Sequence, residues 1–137
     1  MKNRLPLLVA TGLGLIGFIS FAQAQTNAKP ATIAKTVGVE EFSNLRTNKN
    51  TVVLDVRTAG EFKIGHIPGA LNIDFNSADF DKKVSELDKS KTYLVHCAAG
   101  IRSAKACGKL ESLGFKQLVD LRPGFRGWQD AGKPVEK

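Results

Sequence analysis

The chain has 137 residues, of which 42% are hydrophobic and 24% are charged. This length and composition exclude a disordered or fibrous chain and leave room for one globular domain with a modest core. The formal net charge is +7, but the basic residues form no long run and are not interleaved with aromatic residues. We therefore expect no nucleic-acid partner and only some attraction for small anions.

The first 24 residues predict a cleavable signal peptide. Lys2 and Arg4 precede an apolar run from Leu7 to Phe21, and AQA at 22–24 has the small-x-small pattern of a signal peptidase site. We expect cleavage after Ala24, a periplasmic mature protein, and no stable membrane association afterwards. A retained membrane anchor or an N-terminal core helix is the alternative, although the run is short for a membrane span and broken by Gly.

Strands alternate with helices along the rest of the chain. Residues 25–36 predict a polar tail or a first edge strand, and the chain from residue 37 onward reads as one domain. Apolar runs and helical spacing predict strands at 51–57, 70–74, 91–97 and 117–121, and helices at 37–48, 78–87, 102–113 and within 125–132. Such alternation implies crossover connections and a parallel sheet covered on both faces.

The segment HCAAGIRS, residues 96–103, follows the predicted 91–97 strand at its carboxyl end, where parallel sheets bind their ligands. Its small residues allow backbone N–H groups to turn toward the sulfur of Cys97 at the start of a helix. That field favours the thiolate, which is the reactive form, and Arg102 adds a permanent positive charge. A buried structural cysteine is the alternative, but it needs neither Gly100 nor Arg102.

Three motifs in order resemble those of the rhodaneses, the thiosulfate sulfurtransferases. The loop has the form Cys-x-x-Gly-x-Arg-Ser, and DVRTAGEFKIGHIPGALNID at 55–74 is similar to the family's Asp-Val-Arg and Gly-His-Ile-Pro-Gly-Ala signature. GFKQLVDLRPGFRGWQDAGKPV at 114–135 resembles the family's closing pattern. The resemblance implies one rhodanese-like α/β domain over 37–137, with a five-stranded parallel sheet flanked by helices on both faces.

The resemblance also implies sulfur transfer without a cofactor. Cys97 would attack a small anionic sulfur donor such as thiosulfate and become a persulfide. The acceptor would be cyanide in an assay, or a thiol in the cell, protein thiols included. Arg102 would orient the donor and lower the thiol pKa, while backbone N–H groups would stabilise the persulfide at Ala98, Ala99, Gly100 and Ile101.

The length of the loop bears on a second enzymatic reading. HCAAGIRS is close to the phosphate-binding loop of cysteine phosphatases, but one residue is missing between its Gly and its Arg. In the family that the chain resembles, six-residue loops go with sulfur transfer, and seven-residue loops go with phosphatases and arsenate reductases. Cys97 to Arg102 is six residues. Phosphatase or arsenate-reductase chemistry, a noncatalytic persulfide carrier and a partner-docking module stay open as alternatives.

Four further residues are predicted to support the loop. Asp55 and Arg57 lie on one side of their strand by period-two spacing, so they can pair with each other or with loop groups. His96 departs from the usual rhodanese pattern and is interpreted as a strand-end residue that hydrogen-bonds locally, with a catalytic base as the alternative. Ser103 completes the loop motif. Pro123 is a second departure, at what is commonly a Gly-Gly turn.

The remaining candidates receive structural interpretations. His66 is expected to fix a turn, and Trp128 to anchor the last helix in the core. Cys107 is interpreted as an inert small hydrophobe, with a resolving thiol or a disulfide to Cys97 as alternatives. The two cysteines and two histidines show no ligand spacing, so no metal site is predicted.

Overall fold

The computed structural model describes residues 34–137, so the predicted signal peptide lies outside the described residues. The strands are β1 (Lys35–Val37), β2 (Thr51–Asp55), β3 (Leu71–Asn72), β4 (Thr92–His96) and β5 (Leu118–Leu121). All pair in parallel, in the spatial order β1-β5-β4-β2-β3. The five-stranded parallel sheet of an α/β domain is thereby confirmed.

In the part of the chain that the structure describes, five helices accompany the sheet: α1 (Val39–Leu45), α2 (Ala59–Ile64), α3 (Phe80–Ser85), α4 (Ile101–Ser112) and α5 (Gly124–Asp130). Within residues 34–137, none of them is long and apolar enough to cross a membrane. Parallel strands cannot be joined by a tight turn, so a longer connection, usually a helix, must cross over between them. These crossover helices lie on the faces of the sheet.

The sheet separates two apolar clusters, because successive side chains of a strand point to opposite faces. On one face, Tyr93 and Val95 of β4 share a buried cluster with Leu110 of α4 and Val84 of α3. On the other face, Leu94 packs in a cluster with residues of α1 and α5. Because β4 is buried on both faces, it reads as a continuous apolar run rather than as an alternating one.

Two elements differ from the sequence predictions. Val37 was predicted to begin a helix, but it ends β1 and pairs with Leu121, so α1 begins only at Val39. Helix α2 was not predicted, because no residue of it is buried and it shows no apolar stripe. Thr58 and Glu61 form a capping box at its start, and this Thr-x-x-Glu spacing is the signal that could have revealed the helix.

Trp128 anchors α5 in the core, as predicted. It is fully buried, and its ring meets that of Phe42 edge-on with 6.2 Å between centroids. Its indole N–H donates a hydrogen bond to the carbonyl oxygen of Pro134 over 2.8 Å. The side chain therefore joins α1, α5 and the C-terminal segment.

Replacing Trp128 with Ala removes these contacts and leaves a large cavity. We expect the free energy of unfolding to fall by about 3–5 kcal/mol, measured by urea denaturation. The control is Ile64→Ala, whose side chain is 77% exposed and whose removal should change stability by no more than about 0.5 kcal/mol. Equal denaturation midpoints for the two variants would contradict the assignment.

Candidate active site

Cys97 lies where β4 ends, and a short loop joins it to α4. Gly100, the last loop residue, has a φ of 92°, which is a left-handed conformation. A Cβ at this position would collide with the carbonyl oxygen of Arg122. Glycine alone avoids both penalties, so Gly100 allows the loop to turn sharply into the helix.

The turn after β5, residues 122–126, which includes the first three residues of α5, holds the loop from the other side. The N–H groups of Phe125 and Arg126 donate to the carbonyl oxygens of Cys97 and Ala98 over 2.8 and 3.1 Å. Gly124, at a φ of 62°, approaches Ala98 so closely that a Cβ would overlap its backbone. Because these loop carbonyls are bound to the turn, the loop is fixed before any ligand arrives.

The sulfur of Cys97 is buried and surrounded by hydrogen-bond donors. The N–H of Gly100 lies 3.1 Å from Sγ, and the hydroxyl of Ser103 lies 3.5 Å from it. Burial opposes ionisation, but hydrogen bonds from the Ser103 hydroxyl and from the N–H groups of Ser103, Ala99 and Gly100 outweigh it, so the pKa of the Cys97 thiol lies below its usual value. The site therefore favours the nucleophilic thiolate.

The other predicted loop residues have different surroundings. Ala98 lines a cleft beside the loop, and its carbonyl oxygen is bound to the turn. Ile101 is the first residue of α4, and its side chain is 70% exposed. Ser103, which the sequence suggested only as support, supplies both a hydroxyl and an N–H to the sulfur.

Arg102 lies beside the loop, but its charge is engaged by Glu61. Two hydrogen bonds of 2.8 and 2.9 Å join its guanidinium to the two carboxylate oxygens. The Arg102 hydrogen bond, helped by Thr58, holds the pKa of Glu61 down to about 2. This bidentate pair connects α2 to α4, and its geometry is that of a firm ion pair. The lowered thiol pKa comes chiefly from Ser103 and the backbone, and donor binding by Arg102 stays a prediction.

Beneath the loop, Asp55, Arg57 and His96 form a buried polar cluster. Arg57 donates to Asp55 through Nε at 3.0 Å and Nη2 at 2.7 Å, and Nη2 also donates to the carbonyl oxygen of Gly65 over 2.8 Å. His96 Nε2 lies 3.5 Å from Asp55, and Nδ1 lies 3.2 Å from the carbonyl oxygen of Cys97. Burial lowers the pKa of His96, so the ring is neutral at pH 7. The predicted pairing of Asp55 with Arg57 is present.

An open cleft of about 500 Å³ lies next to the loop. Arg57 and Arg126 contribute two cationic side chains to its lining, and Ala98 connects it to the loop. Arg57 is paired with Asp55, and Glu61 of the same lining is paired with Arg102, so Arg126 supplies the positive charge that can attract small anions. Arg126 and Gln129 were not among the predicted site residues, although their i, i+3 spacing on a predicted helix places them on one face. The other lining residues are Glu61, Ile64, Gly65 and Phe125.

Cys107 differs from Cys97 in its surroundings. Both are free thiols, and both belong to the same buried cluster. Burial raises the pKa of Cys107, and the charges of Asp120 and Glu111 add to the effect. Cys107 therefore remains a neutral thiol, in agreement with its interpretation as a small hydrophobe.

His66 is held by the C-terminal segment. Its backbone exchanges two hydrogen bonds of 2.9 Å with Glu136. The His66 ring stacks on the Phe62 ring with 3.7 Å between their centroids. Nδ1 of His66 lies 2.9 Å from the carbonyl oxygen of Phe62. These contacts fit a residue that fixes the chain after α2.

The arrangement of strand, cysteine loop and helix matches a known family. The protein-family model described as rhodanese-like domain matches residues 38–131 of the sequence, which is most of the described chain. The chain belongs to the rhodanese-like domain family. The resemblance drawn from the three motifs is thereby confirmed.

Relatives of this rhodanese-like domain include sulfurtransferases. A sulfurtransferase of Allochromatium vinosum is 30% identical, over 66% of this chain and 83% of that protein. A tRNA uridine(34) hydroxylase of Cytophaga hutchinsonii is 38% identical, over 70% of this chain. This chain spans only 32% of the length of that hydroxylase. A protein of Arabidopsis thaliana named dual specificity phosphatase Cdc25 is 34% identical, over 66% of this chain and 70% of its own length.

A solved structure shares the fold of the rhodanese-like domain. The crystal structure of a rhodanese-related protein from Thermoplasma volcanium superposes with a TM-score of 0.66 and 30% identity. It covers 74% of this chain and 97% of its own. The match is that of a whole single domain rather than of a fragment of a larger fold.

The hydrogen bonds to Cys97 predict the pH dependence of its alkylation by iodoacetamide, a reaction of the thiolate. Because the pKa of the Cys97 thiol is lowered, the pH at which the alkylation rate is half-maximal should lie below 9.0, the ordinary pKa of a thiol. Ser103→Ala removes a donor to the thiolate and should move the midpoint to higher pH. Peptide mass mapping at each pH measures the reaction at Cys97 and at Cys107 separately.

Ser112→Ala provides the matched control, since Ser112 lies on the same helix with its hydroxyl bound to Lys109. Its midpoint should equal that of the unmodified domain. If Ser103→Ala and Ser112→Ala give the same midpoint, the hydroxyl of Ser103 does not stabilise the thiolate.

Proposed function

We propose that this domain transfers sulfane sulfur from a small anionic donor such as thiosulfate to a thiophilic acceptor, through a persulfide on Cys97. The observation that carries the proposal is the buried sulfur of Cys97, which has a lowered thiol pKa and faces backbone N–H groups of a six-residue loop. The sulfurtransferase relative, which the chain matches over most of its length, supports the same chemistry.

The reaction proceeds in two half-reactions. The thiolate of Cys97 attacks the outer sulfur of thiosulfate, a sulfur–sulfur bond forms, and sulfite leaves with the electron pair of the bond that breaks. The acceptor then attacks the outer sulfur of the persulfide, and Cys97 leaves as the thiolate. Cyanide would become thiocyanate in an assay, and a thiol would become a persulfide in the cell. No cofactor is required by these steps.

The loop stabilises the charge that moves through these steps. Persulfide formation places negative charge on an added sulfur, close to the N–H groups of Ala99 and Gly100. Fixed N–H dipoles stabilise such charge without reorganising, as in an oxyanion hole. The cleft beside the loop supplies Arg126, which forms no ion pair with any described residue and is placed to attract the donor's sulfonate group.

The size of the loop favours sulfur over phosphorus. The carbonyl oxygens of Cys97 and Ala98 are bound by the turn, and Gly100 is pressed against Arg122. A loop fixed on both sides has little freedom to widen around a tetrahedral oxyanion. A single added sulfur fits the smaller ring of donors better, although one relative carries the name of a phosphatase.

The proposal is tested by the mass of the intact protein after thiosulfate is added. The reduced chain from residue 25 onward should gain the mass of one sulfur atom and should then lose it to cyanide. Cys97→Ser should abolish the gain, because the nucleophile is absent. Thiocyanate formation measures turnover in the same sample.

Cys107→Ser is the matched control, since Cys107 lies in the same apolar cluster with a raised thiol pKa. It should gain the sulfur like the unmodified chain. Absence of any adduct in the unmodified chain would refute the sulfur reaction, and hydrolysis of an aryl phosphate would favour the phosphatase. An adduct that cyanide cannot remove would favour a persulfide carrier.

We further propose that the domain works in the periplasm, after removal of the signal peptide. Its basis is the sequence of residues 1–24 alone. On expression of the full chain in a bacterium with periplasmic extraction, the N-terminal residue of the extracted protein should be Gln25. Full-length protein that stays in the cytoplasmic fraction would contradict export.

A further inference from the structure

Glu61 carries a carboxylate that the proposed sulfur transfer does not use. The residue lies in α2 and lines the cleft together with Ala98, which follows Cys97 in the loop. Like charges repel, so a negative charge in this place opposes the approach of an anion to the cleft. A carboxylate beside a site that takes an anionic donor therefore calls for an explanation.

Both oxygens of the Glu61 carboxylate accept hydrogen bonds. Oε1 accepts from Nη2 of Arg102 over 2.9 Å, and Oε2 accepts from Nη1 of Arg102 over 2.8 Å. Oε2 also accepts from the N–H and from the hydroxyl of Thr58, each over 3.0 Å. These bonds hold the pKa of Glu61 down to about 2, so the group is an anion at neutral pH.

The pair occupies the position in which an arginine holds an oxyanion. The donors of a guanidinium form a planar fork, which binds a carboxylate or a phosphate through two parallel hydrogen bonds. Arg102 directs both of its Nη atoms at Glu61. The side chains of the pair are only 25% and 35% exposed, so salt screens the pair less than it screens a fully exposed one. An external anion must therefore displace Glu61 before the fork can bind it.

Glu61 competes with such an anion as a ligand that is already attached. The capping box with Thr58 places the carboxylate at the fork, so little conformational freedom is lost when the pair forms. A group tethered to the same chain acts at a high effective concentration. A free oxyanion is at a disadvantage against it.

We propose that Glu61 is a specificity-determining residue, which occupies the anion-binding fork of Arg102 and thereby excludes tetrahedral oxyanions such as phosphate from it. This role rests on the proposed function, in which a sulfur donor rather than a phosphate reaches Cys97, and it adds a second barrier to that of the small loop. The donor's sulfonate is then left to Arg126, which has no ion pair among the described residues.

Replacing Glu61 with Gln frees one arm of the fork and preserves the start of α2. The amide oxygen in the place of Oε2 keeps the hydrogen bonds from Thr58, since glutamine also closes a capping box. The amide nitrogen in the place of Oε1 then faces Nη2 of Arg102. Both atoms are donors, so Nη2 is released for an external acceptor.

The experiment measures the binding of inorganic phosphate to the chain from residue 25 onward, by isothermal titration calorimetry at neutral pH and at constant ionic strength. We expect Glu61→Gln to bind phosphate at least about tenfold more tightly than the unmodified chain, the effect of one regained hydrogen bond to a charged group. Equal dissociation constants, or no binding by Glu61→Gln, would overturn the proposal.

Asp81→Asn is the matched control. Asp81 is paired over 2.9 Å with Lys109, another cation of α4, so its replacement changes the net charge equally and leaves Glu61 and Arg102 in place. The dissociation constant of phosphate should equal that of the unmodified chain. A gain as large as that of Glu61→Gln would show a general charge effect and would overturn the role of Glu61.

Double substitutions test whether Arg102 carries the gain. Adding Arg102→Gln to Glu61→Gln removes the fork, so phosphate binding should return to the weak level of the unmodified chain. Adding Lys109→Gln removes the same charge from α4 but keeps the fork, so the gain should persist. Tight binding that survives Arg102→Gln, or that is lost equally in both double variants, would place the anion elsewhere and overturn the proposal.

A further variant covers a failure of Glu61→Gln to fold, which circular dichroism reports. Glu61→Ala then replaces it with the same expectation, because no residue of α2 is buried and the core does not depend on this helix. An unchanged dissociation constant in a folded Glu61→Ala would overturn the proposal equally.

Phosphate binding needs no sulfur donor, so the two proposals fail separately. A domain that takes no sulfur from thiosulfate, but binds phosphate more tightly in Glu61→Gln, would overturn the proposed function and support the role of Glu61. Sulfur transfer with equal phosphate affinities would do the reverse.

Discussion

The site depends on the close approach of two backbone segments, the loop after β4 and the turn after β5. These strands are neighbours in the sheet, so their carboxyl ends bring the two segments together. The turn binds the carbonyl oxygens of Cys97 and Ala98, and neither Gly100 nor Gly124 leaves room for a Cβ at the contact. The N–H groups that face the sulfur are therefore held by main-chain contacts, which no side-chain rotamer change can alter. Fixed dipoles of this kind cost no reorganisation when charge arrives.

Around this contact, the charged side chains form ion pairs with one another. The groups that act on the sulfur of Cys97 are therefore the dipoles of N–H and hydroxyl groups. Asp55 and Arg57 neutralise each other beneath the loop, and Arg102 is bound to Glu61 beside it. The lowered pKa of the Cys97 thiol thus arises from hydrogen bonds at short range, against the effect of burial. Such bonds are screened less by salt than the field of an exposed arginine would be. The reactivity of the site should accordingly depend little on ionic strength, while attraction of an anionic donor to the cleft should depend on it more.

Much of the fold and part of the site follow from the sequence, for physical reasons that differ from residue to residue. The buried run of β4 and the turn of small residues after Cys97 are local signals, and the structure has both where the sequence predicts them. Helix α2 was missed because it buries no side chain, so only its capping box marks it. The engagement of Arg102 by Glu61 joins residues far apart in the chain, and the period of a single element does not reveal such a pair.

Glu61 takes part in two interactions at once, so the placement of α2 depends strongly on the carboxylate of this residue. Its carboxylate closes the capping box with Thr58 and also holds Arg102 at the start of α4. Since α2 has no buried side chain, these polar contacts hold it in place more than packing does. The helix and the segment after it form one wall of the cleft through Ile64 and Gly65. The shape of the cleft therefore depends on a carboxylate that belongs to neither the sheet nor the cysteine loop, together with the Arg57 hydrogen bond to the carbonyl oxygen of Gly65.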